Sequence, residues 1–221
     1  MPNPKVELVL RDVSLFGLAT PKLIAPGQYA GDKSRAKQVL AALSKTGRLR
    51  RYLCRFSGSE PPMAYYSLTE KPLGLKELRA RYAVAAYVKG NGDNLRLLDD
   101  KAFHELFDPI AQAIGLDAPA YRPCCLALHD RTIQLVWPLS MLDLNRTVTR
   151  LQVFICTEPF RLWHAFAKQG KFKLICLVPG KRRADELLLW LERRPLLSPF
   201  SNPPVKIDIQ VRAAERLRPG E

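Results

Sequence analysis

The sequence predicts an α+β protein built in two parts: a small N-terminal domain of helices closed by a β-hairpin, and a larger mixed α/β domain with a central sheet. Two patterns support this prediction. Apolar residues recur at helical spacing near the start of the chain and give way to two short strand-like segments. After residue 72, apolar strand-like segments alternate with amphipathic helical ones, as in a sheet covered by helices.

The composition predicts a cytoplasmic protein with a buried core and an anionic partner. Of the 221 residues, 47% are hydrophobic and 25% are charged, and the formal net charge is +14. No apolar run approaches the roughly 18 residues that cross a bilayer, and we expect no secretory leader. The five cysteines are scattered without a CxxC pair, so we expect reduced thiols and no zinc site. Nucleic acid is favoured over a membrane surface as the partner.

Three helices are predicted in the first domain. The first ends near Gly17, and Thr20 is the N-cap of a short second helix with Pro21 in its first turn. Asp32 is the N-cap candidate of a third helix, which ends at Gly47. The apolar stripe of the third helix consists of Ala36, Val39, Leu40 and Leu43, and its opposite stripe of Ser34, Lys37, Gln38, Ala41 and Lys45.

A basic β-hairpin follows the third helix. The segments RLRRYLCRF and YYSLT are strand-like, and the turn-rich segment SGSEPPMA separates them. Helix, short helix, helix and hairpin is the element order of a winged helix-turn-helix, whose third helix enters the major groove of DNA. Residues 31–55 hold eight basic residues and one acidic residue, so the charge of the first domain is concentrated on this helix and hairpin.

We therefore predict a DNA interface on the third helix and the hairpin. Lys37 and Gln38 are expected to contact base edges, with Gln favouring adenine and Lys guanine. The other basic residues are expected to contact phosphates. The alternatives are a solvated helix face and a winged helix that binds protein. The predicted DNA-binding residues are Thr20, Lys22, Lys33, Ser34, Arg35, Lys37, Gln38, Lys45, Arg48, Arg50, Arg51 and Arg55.

The segment KPLGLK, residues 71–76, marks the predicted junction between domains 1–72 and 73–221. A helix is expected over about residues 75–89, then a short strand at NLRLL and a helix capped by Asp99 or Asp100. CCLALHDRTIQLVW predicts two strands and TVTRLQVFIC a third. The helix EPFRLWHAFAKQG, the buried strand FKLICLV, the helix KRRADELLLWLERR and the strand VKIDIQV follow.

No sequence motif in the second domain indicates catalysis. His104, His129 and His164 lack the spacing of a shared metal site, and no phosphate-binding loop or nucleophile motif is present. Asp99, Asp100 and Lys101 could belong to a metal-dependent nuclease, but their position at a helix start favours capping. We therefore expect no catalytic residue, no metal and no cofactor.

The layout resembles the replication-relaxation family of plasmid and integrative-element proteins. In that family an N-terminal winged helix precedes a domain with a restriction-endonuclease-like α/β core. The resemblance covers most of the chain as a pattern and implies a DNA-related role. The matching segments are SRAKQVLAALSKTGRLRRY with YYSLT, ELRARYAVAAYV, YRPCCLAL and FKLICLVPGKRRADELLLWL.

The second domain departs from the pattern of an active nuclease of this fold. Such a nuclease carries Pro-Asp on its second strand, where this chain has Pro123-Cys124. The next strand should carry an acid-x-acid or acid-x-Lys set, and it carries Gln134 among apolar residues. A thiol and an amide cannot replace the paired carboxylates that bind a hard divalent cation. The resemblance therefore implies a nuclease-like core without its active site, which is a structural, dimerising or DNA-contacting platform.

The sequence thus predicts a non-enzymatic, sequence-specific double-stranded DNA-binding protein of a mobile element. By resemblance it acts in plasmid replication, maintenance or transfer, with replication or transfer proteins as partners. A homodimer is expected because winged helices often bind paired half-sites. One alternative is a transcriptional regulator that uses the same winged helix, and another is a protein-interaction module. A third is a metal-dependent DNA nuclease with acids such as Asp99, Asp130 or Asp143 gathered by the fold.

Overall fold

The computed structural model describes residues 4–55, 62–139 and 143–214, and it is mixed α/β with a central mixed sheet. The chain divides into two compact units, the first extending to Gly92 and the second beginning at Asp93. The junction predicted at residues 71–76 includes the first two residues of the helix Leu75–Gly90, whereas the observed division groups that helix with the first unit.

The first unit contains four helices and one hairpin among its described residues. The three helices that precede the hairpin have the order predicted from the sequence, and the tip of the hairpin, residues 56–61, lies outside the described residues. The elements are α1 (Pro4–Phe16), α2 (Pro21–Gln28), α3 (Lys33–Lys45), β1 (Arg50–Cys54), β2 (Met63–Ser67) and α4 (Leu75–Gly90), and β1 pairs with β2 in antiparallel fashion.

Side-chain caps fix the starts of α2 and α3. The Thr20 hydroxyl oxygen accepts a hydrogen bond from the Leu23 amide at 3.3 Å, and proline occupies the first turn of α2. The Asp32 carboxylate accepts a hydrogen bond from the Arg35 amide at 2.9 Å. Such caps satisfy amides that have no partner inside the helix. The turn between α2 and α3 is therefore set by local sequence chemistry.

The core of the first unit lies between α1, α2, α3 and the strand β2. Val13 of α1, Ile24 of α2, Leu40 of α3 and Tyr66 of β2 are all buried in one apolar cluster. A main-chain bridge between Ala19 and Tyr66 ties the α1–α2 connection to the hairpin.

The segment after β2 and the helix α4 complete the first unit. The Tyr65 hydroxyl accepts a hydrogen bond from the Leu73 amide at 2.7 Å, and Lys89 of α4 forms an ion pair with Asp12 of α1 at 2.5 Å. Both partners of that ion pair are about four-fifths buried, so the pair is shielded from bulk water. These contacts explain why α4 belongs to the first unit.

The second unit is built around a five-stranded sheet with the order β3-β4-β5-β6-β9. The strand β4 is antiparallel to both β3 and β5, whereas β5, β6 and β9 are parallel to one another. Its elements are β3 (Leu95–Leu97), α5 (Asp100–Ala113), β4 (Cys124–Ala127), β5 (Ile133–Pro138), α6 (Leu144–Ile155), α7 (Arg161–Lys168), β6 (Phe172–Pro179), α8 (Lys181–Arg193), β7 (Leu197–Ser198), β8 (Val205–Lys206) and β9 (Ile209–Ala214).

The segment TVTRLQVFIC was predicted as a strand, and this prediction is wrong because the segment lies in helix α6. Asp143 caps α6 by accepting a hydrogen bond from the Asn145 amide at 2.9 Å. The buried residues Val148, Leu151 and Ile155 recur at helical spacing on the side that faces the core. This period outweighs the strand propensity of the β-branched residues in the segment.

An aromatic and aliphatic cluster forms the core of the second unit. Phe103 and Phe107 of α5 pack against Trp163 of α7, with the Phe107 and Trp163 ring centroids 4.9 Å apart. Leu174 and Cys176 of β6 lie in the same cluster and are completely buried. The strand β6 carries no exposed residue, in agreement with the prediction of a buried strand.

Candidate nucleic-acid interface

The helix α3 has one apolar face and one exposed basic and polar face. Ala36, Leu40 and Leu43 are buried at 0%, 0% and 5% exposure and attach α3 to the core. The predicted DNA-binding residues of this helix lie on its exposed side, namely Lys33, Ser34, Arg35, Lys37, Gln38 and Lys45. The sequence therefore identified the outward face of α3 from its helical period alone.

The alanine on the exposed face of α3 is one position further along the chain than the sequence predicted. Ala41 was assigned to the outward stripe, but it is half-buried, while its neighbour Ala42 is exposed. Ala42 lies four residues after Gln38 and therefore on the same side of the helix. Its small side chain leaves the helix backbone accessible beside Gln38. The sequence has alanine at both positions 41 and 42, and the helical period alone did not show which of the two lies on the exposed face.

The positive charge of α3 has little acidic compensation within the described residues. Lys33, Lys37 and Lys45 form no ion pair there, and the first turn of α3 contains no acidic residue. Asp32 caps the helix, so its carboxylate is already engaged with the Arg35 amide. The N-terminus of a helix carries partial positive charge, and cations beside it are unfavourable by about 0.3–1 kcal/mol each. An anion bound at this end of α3 would relieve that repulsion.

The strand β1 extends the basic surface. Side chains alternate between the two faces of a strand, so Arg51, Leu53 and Arg55 share a side and Tyr52 lies on the other. Tyr52 packs against Tyr65 with ring centroids 5.5 Å apart, and its hydroxyl donates to the Thr69 carbonyl oxygen. Arg51 and Arg55 are exposed. The hairpin is thus held on its Tyr52 side and presents two arginines on the other.

Two of the predicted arginines have acidic neighbours. The Arg48 guanidinium lies 3.0 Å from the Glu7 carboxylate, and Arg50 lies 3.7 Å from Glu70. All four side chains are close to half exposed or more. Exposed ion pairs contribute at most about 1 kcal/mol, so either arginine can exchange its carboxylate for a phosphate. These arginines belong to the candidate interface, but with a competing partner.

Two predicted residues of α2 and its cap do not lie on the exposed basic surface. Thr20 is 2% exposed, and its hydroxyl is occupied by the helix cap, so the contact with DNA that the sequence predicted for it has no exposed side chain to support it. Lys22 is half-buried and already engaged with neighbouring groups. A Thr before a Pro at a helix start is a strong capping pattern, and capping is what Thr20 does.

The acidic residues considered for a nuclease have structural roles. The Asp99 carboxylate accepts a hydrogen bond from the Ala102 amide at 2.8 Å, and Asp143 caps α6. Asp130 accepts one from the Thr132 amide at 2.9 Å, and hydrogen bonds from Thr132 lower its pKa, with smaller effects of Lys173 and Lys171. Within residues 4–55, 62–139 and 143–214, no group of three His, Cys, Asp or Glu side chains could bind a metal.

Cys124 and Gln134, which the sequence resemblance set against nuclease carboxylates, lie on the neighbouring strands β4 and β5. Cys124 on β4 is completely buried, and burial raises the pKa of its thiol well above the usual value. Its neighbour in register on β5 is the buried Leu135, and Gln134 lies opposite Cys125. A neutral thiol in an apolar core is neither a nucleophile nor a metal ligand.

The histidines lie apart in three different environments. His104 on α5 hydrogen-bonds Asp108 at 2.9 Å, and this bond, with the nearby Asp100, raises its pKa. His164 on α7 is buried and lies 2.7 Å from the Ser198 hydroxyl, and desolvation lowers its pKa, with a smaller effect of Lys168. His129 is exposed in the turn between β4 and β5. Each contact is local, so none of them forms a shared site.

Comparisons with protein-family models, curated proteins and solved structures gave no significant match for this chain. Among the described residues, no helix is long and apolar enough to cross a membrane. The candidate interface on α3 and β1 is therefore interpreted from its own geometry and charge.

Proposed function

We propose that this chain is a sequence-specific double-stranded DNA-binding protein of a mobile element, with α3 as the helix that contacts bases and β1–β2 as a wing. The observation that carries the proposal is the exposed face of α3, where Lys33, Lys37 and Lys45 have no acidic partner among the described residues. Unneutralised cations along one face are the electrostatic footprint of a phosphate-binding protein.

The dimensions of α3 suit a major groove. Its 13 residues give a length of about 20 Å at about 1.5 Å per residue, and a groove about 12 Å wide accepts a helix. Lys37 and Gln38 lie near the middle of the exposed face, where base edges would be within reach. Lys33 and Lys45 lie at its two ends, where the phosphate backbones would pass. Three helices and a hairpin in this order support assignment as a winged helix.

We further propose that the second unit is a nuclease-like core without an active site. Its mixed sheet, with an antiparallel hairpin joined through helices to a parallel strand, is compatible with that assignment. Asp99 and Asp143 serve as helix caps, and Cys124 and Gln134 stand where carboxylates would be needed. By the resemblance, which covers most of the chain as a pattern, the protein acts in plasmid replication, maintenance or transfer in the cytoplasm.

Binding to duplex DNA at several salt concentrations tests the proposal. Each phosphate neutralised should add about 0.9 to the magnitude of the slope of log affinity against log salt. A fragment library from the replicon that carries the gene supplies candidate sites and also shows whether binding is specific. Absence of binding to every duplex at low salt would overturn the proposed function.

Substitutions separate base contacts from phosphate contacts. Lys37→Ala and Gln38→Ala should relax sequence preference, by about 1–3 kcal/mol at the affected base pair. Arg51→Ala should weaken binding to all sequences alike and lower the salt slope by about one. Lys168→Ala removes one exposed charge from the second unit and serves as the matched control. Equal effects of Arg51→Ala and Lys168→Ala would argue against a defined interface.

The same interface would serve a transcriptional regulator, and the location of the selected sites distinguishes the two roles. Sites in a replication or transfer origin support the proposed role, and sites in promoters support the regulator. Supercoiled plasmid incubated with Mg²⁺ or Mn²⁺ tests the nuclease alternative. Nicking that Asp99→Ala or Asp130→Ala abolishes would show an enzyme.

A further inference from the structure

The strand β9 (Ile209–Ala214) forms one edge of the five-stranded sheet, and it pairs with β6 alone among the described strands. The opposite edge is β3, which has only three residues. An edge strand presents unpaired main-chain groups and can pair with a further strand. A strand of six residues offers a longer template than β3 does.

The register fixes which main-chain groups point away from the sheet. The Leu174 amide donates to the Asp208 carbonyl oxygen at 2.9 Å, while Leu174 is the register partner of Ile209. In a parallel pair, residues alternate in directing both main-chain groups toward one neighbour or the other. Gln210 and Arg212 therefore direct theirs toward β6. Ile209, Val211 and Ala213 direct theirs outward.

The outward side of β9 carries little of the protection that edge strands usually have. Natural edges are commonly blocked by proline, lysine or a bulge. The strand contains no proline and no lysine, and Arg212 is its single charged residue. Arg212 also donates to the Gln210 side-chain oxygen at 3.4 Å, so its charge is directed along the strand.

We propose that β9 pairs in antiparallel fashion with β9 of a second copy of this chain, about a two-fold axis at Val211. The two five-stranded sheets would then join into one. The interface is isologous, so each contact occurs twice and the assembly closes as a dimer. The proposal does not rest on DNA binding, because it depends only on the sheet edge of the second unit.

Two features favour this register: it uses all three outward residues of β9, and it avoids an unfavourable charge pair. When Val211 lies opposite Val211 of the second copy, Ile209 lies opposite Ala213 of that copy. All three outward residues then exchange main-chain hydrogen bonds with the second copy. Gln210 then lies opposite Arg212 of the second copy in a non-hydrogen-bonded pair, where Cα atoms are about 4.5 Å apart and side chains meet. A shift that pairs Val211 with Ala213 would set Arg212 against itself, and like charges directly opposite are unfavourable.

Sedimentation velocity of the full chain without DNA tests the proposal across a concentration series. The chain has a mass of 25.0 kDa, and we expect a species of twice that mass. Val211→Pro removes an outward amide and leaves every bond to β6 intact, so it should yield monomer. Ala213→Lys places a charge on the edge and should raise the dimer dissociation constant at least tenfold. Ala118→Lys, at an exposed alanine in the connection between α5 and β4, is the matched control and should remain dimeric.

A cysteine substitution tests the register. In a background of Cys156→Ser, Val211→Cys should form a disulfide-linked dimer on mild oxidation, because position 211 faces itself across the axis. Ala213→Cys should not, since its counterpart is Ile209. A wild-type monomer at every concentration up to about 100 μM would overturn the proposal. A dimer that neither Val211→Pro nor Ala213→Lys weakens would also overturn the proposal. If Val211→Pro does not fold, the result for Ala213→Lys alone tests the proposal.

Discussion

His164 shows how a single buried residue can make stability depend on pH. Its ring lies 2.7 Å from the Ser198 hydroxyl, and desolvation lowers its pKa below the ordinary value near 6.5. The unfolded chain therefore binds a proton at a higher pH than the folded chain does. Below about pH 6.5 this difference reduces the free energy of unfolding, and above it the His164 contribution is fully present.

We predict that urea unfolding of the wild type between pH 7.5 and 5.5 shows a decline that His164→Gln reduces. Glutamine retains a hydrogen-bonding group beside Ser198 but does not titrate. His104 contributes with the opposite sign, because the hydrogen bond to Asp108 raises its pKa and favours the folded state at low pH. His104→Gln is therefore the matched control, and it should make the decline steeper. An unchanged decline in His164→Gln would contradict the assignment.

The sequence predicted the environment of some single residues correctly and of others not. Lys37 and Gln38 were placed correctly on an exposed face because their position follows from the period of the helix. Thr20 was predicted both as a helix cap and as a DNA contact, because a capping hydroxyl and a phosphate-binding hydroxyl have the same sequence signature, and the structure shows the cap. Side-chain partners such as Glu7 for Arg48 are separated by many residues in the chain, so no local pattern could predict them.

At the level of elements, the cap of α2 should be separable from DNA binding. We predict that Thr20→Ala lowers the free energy of unfolding by about 1 kcal/mol, because the Leu23 amide loses its side-chain acceptor and keeps only the Thr20 carbonyl oxygen, at 3.1 Å. Thr20→Ser retains the hydroxyl and should restore most of that loss. Chemical denaturation measures both variants. DNA affinity below the unfolding transition should be the same in all three proteins, and a selective loss of affinity in Thr20→Ala would return this side chain to the interface.

Helices with a recognisable N-cap residue and a helical period of apolar residues were predictable from the sequence, whereas α6 was predicted as a strand. Its β-branched residues favoured a strand, yet Val148, Leu151 and Ile155 follow a helical period. The decisive information is that these residues face the core of the second unit, which is a tertiary fact. The buried strand β6 was predictable because its apolar run admits no solvent-exposed face.

At the level of the whole molecule, α4 determines the limits of the first unit. Lys89 of α4 pairs with Asp12 of α1, and the chain leading to α4 satisfies the Tyr65 hydroxyl through the Leu73 amide. The sequence placed the junction before α4 because KPLGLK is turn-rich, and it could not show that α4 packs backward onto α1. A local break in pattern is a weaker indicator of a domain boundary than the contacts across it.

We predict that a fragment of residues 1–92 unfolds cooperatively, whereas a fragment of residues 1–72 does not. The shorter fragment leaves Asp12 without Lys89 and exposes apolar surface that α4 covers in the first unit. Thermal unfolding followed by circular dichroism measures both fragments. Lys89→Met in the longer fragment is a control that removes the ion pair while retaining α4, and it should unfold cooperatively at a lower temperature. Equal cooperativity of the two fragments would place the boundary at residue 72.

The position of β6 also sets an order for folding during synthesis. The elements of the first unit all lie before residue 91, so they can assemble as soon as α4 has emerged from the ribosome. The strand β6 needs β5 on one side and β9 on the other, and β9 is the last of the described strands to emerge. Until β9 arrives, β6, a strand without an exposed residue in the folded protein, is itself an edge, and chain termination before residue 209 would leave it open to aggregation.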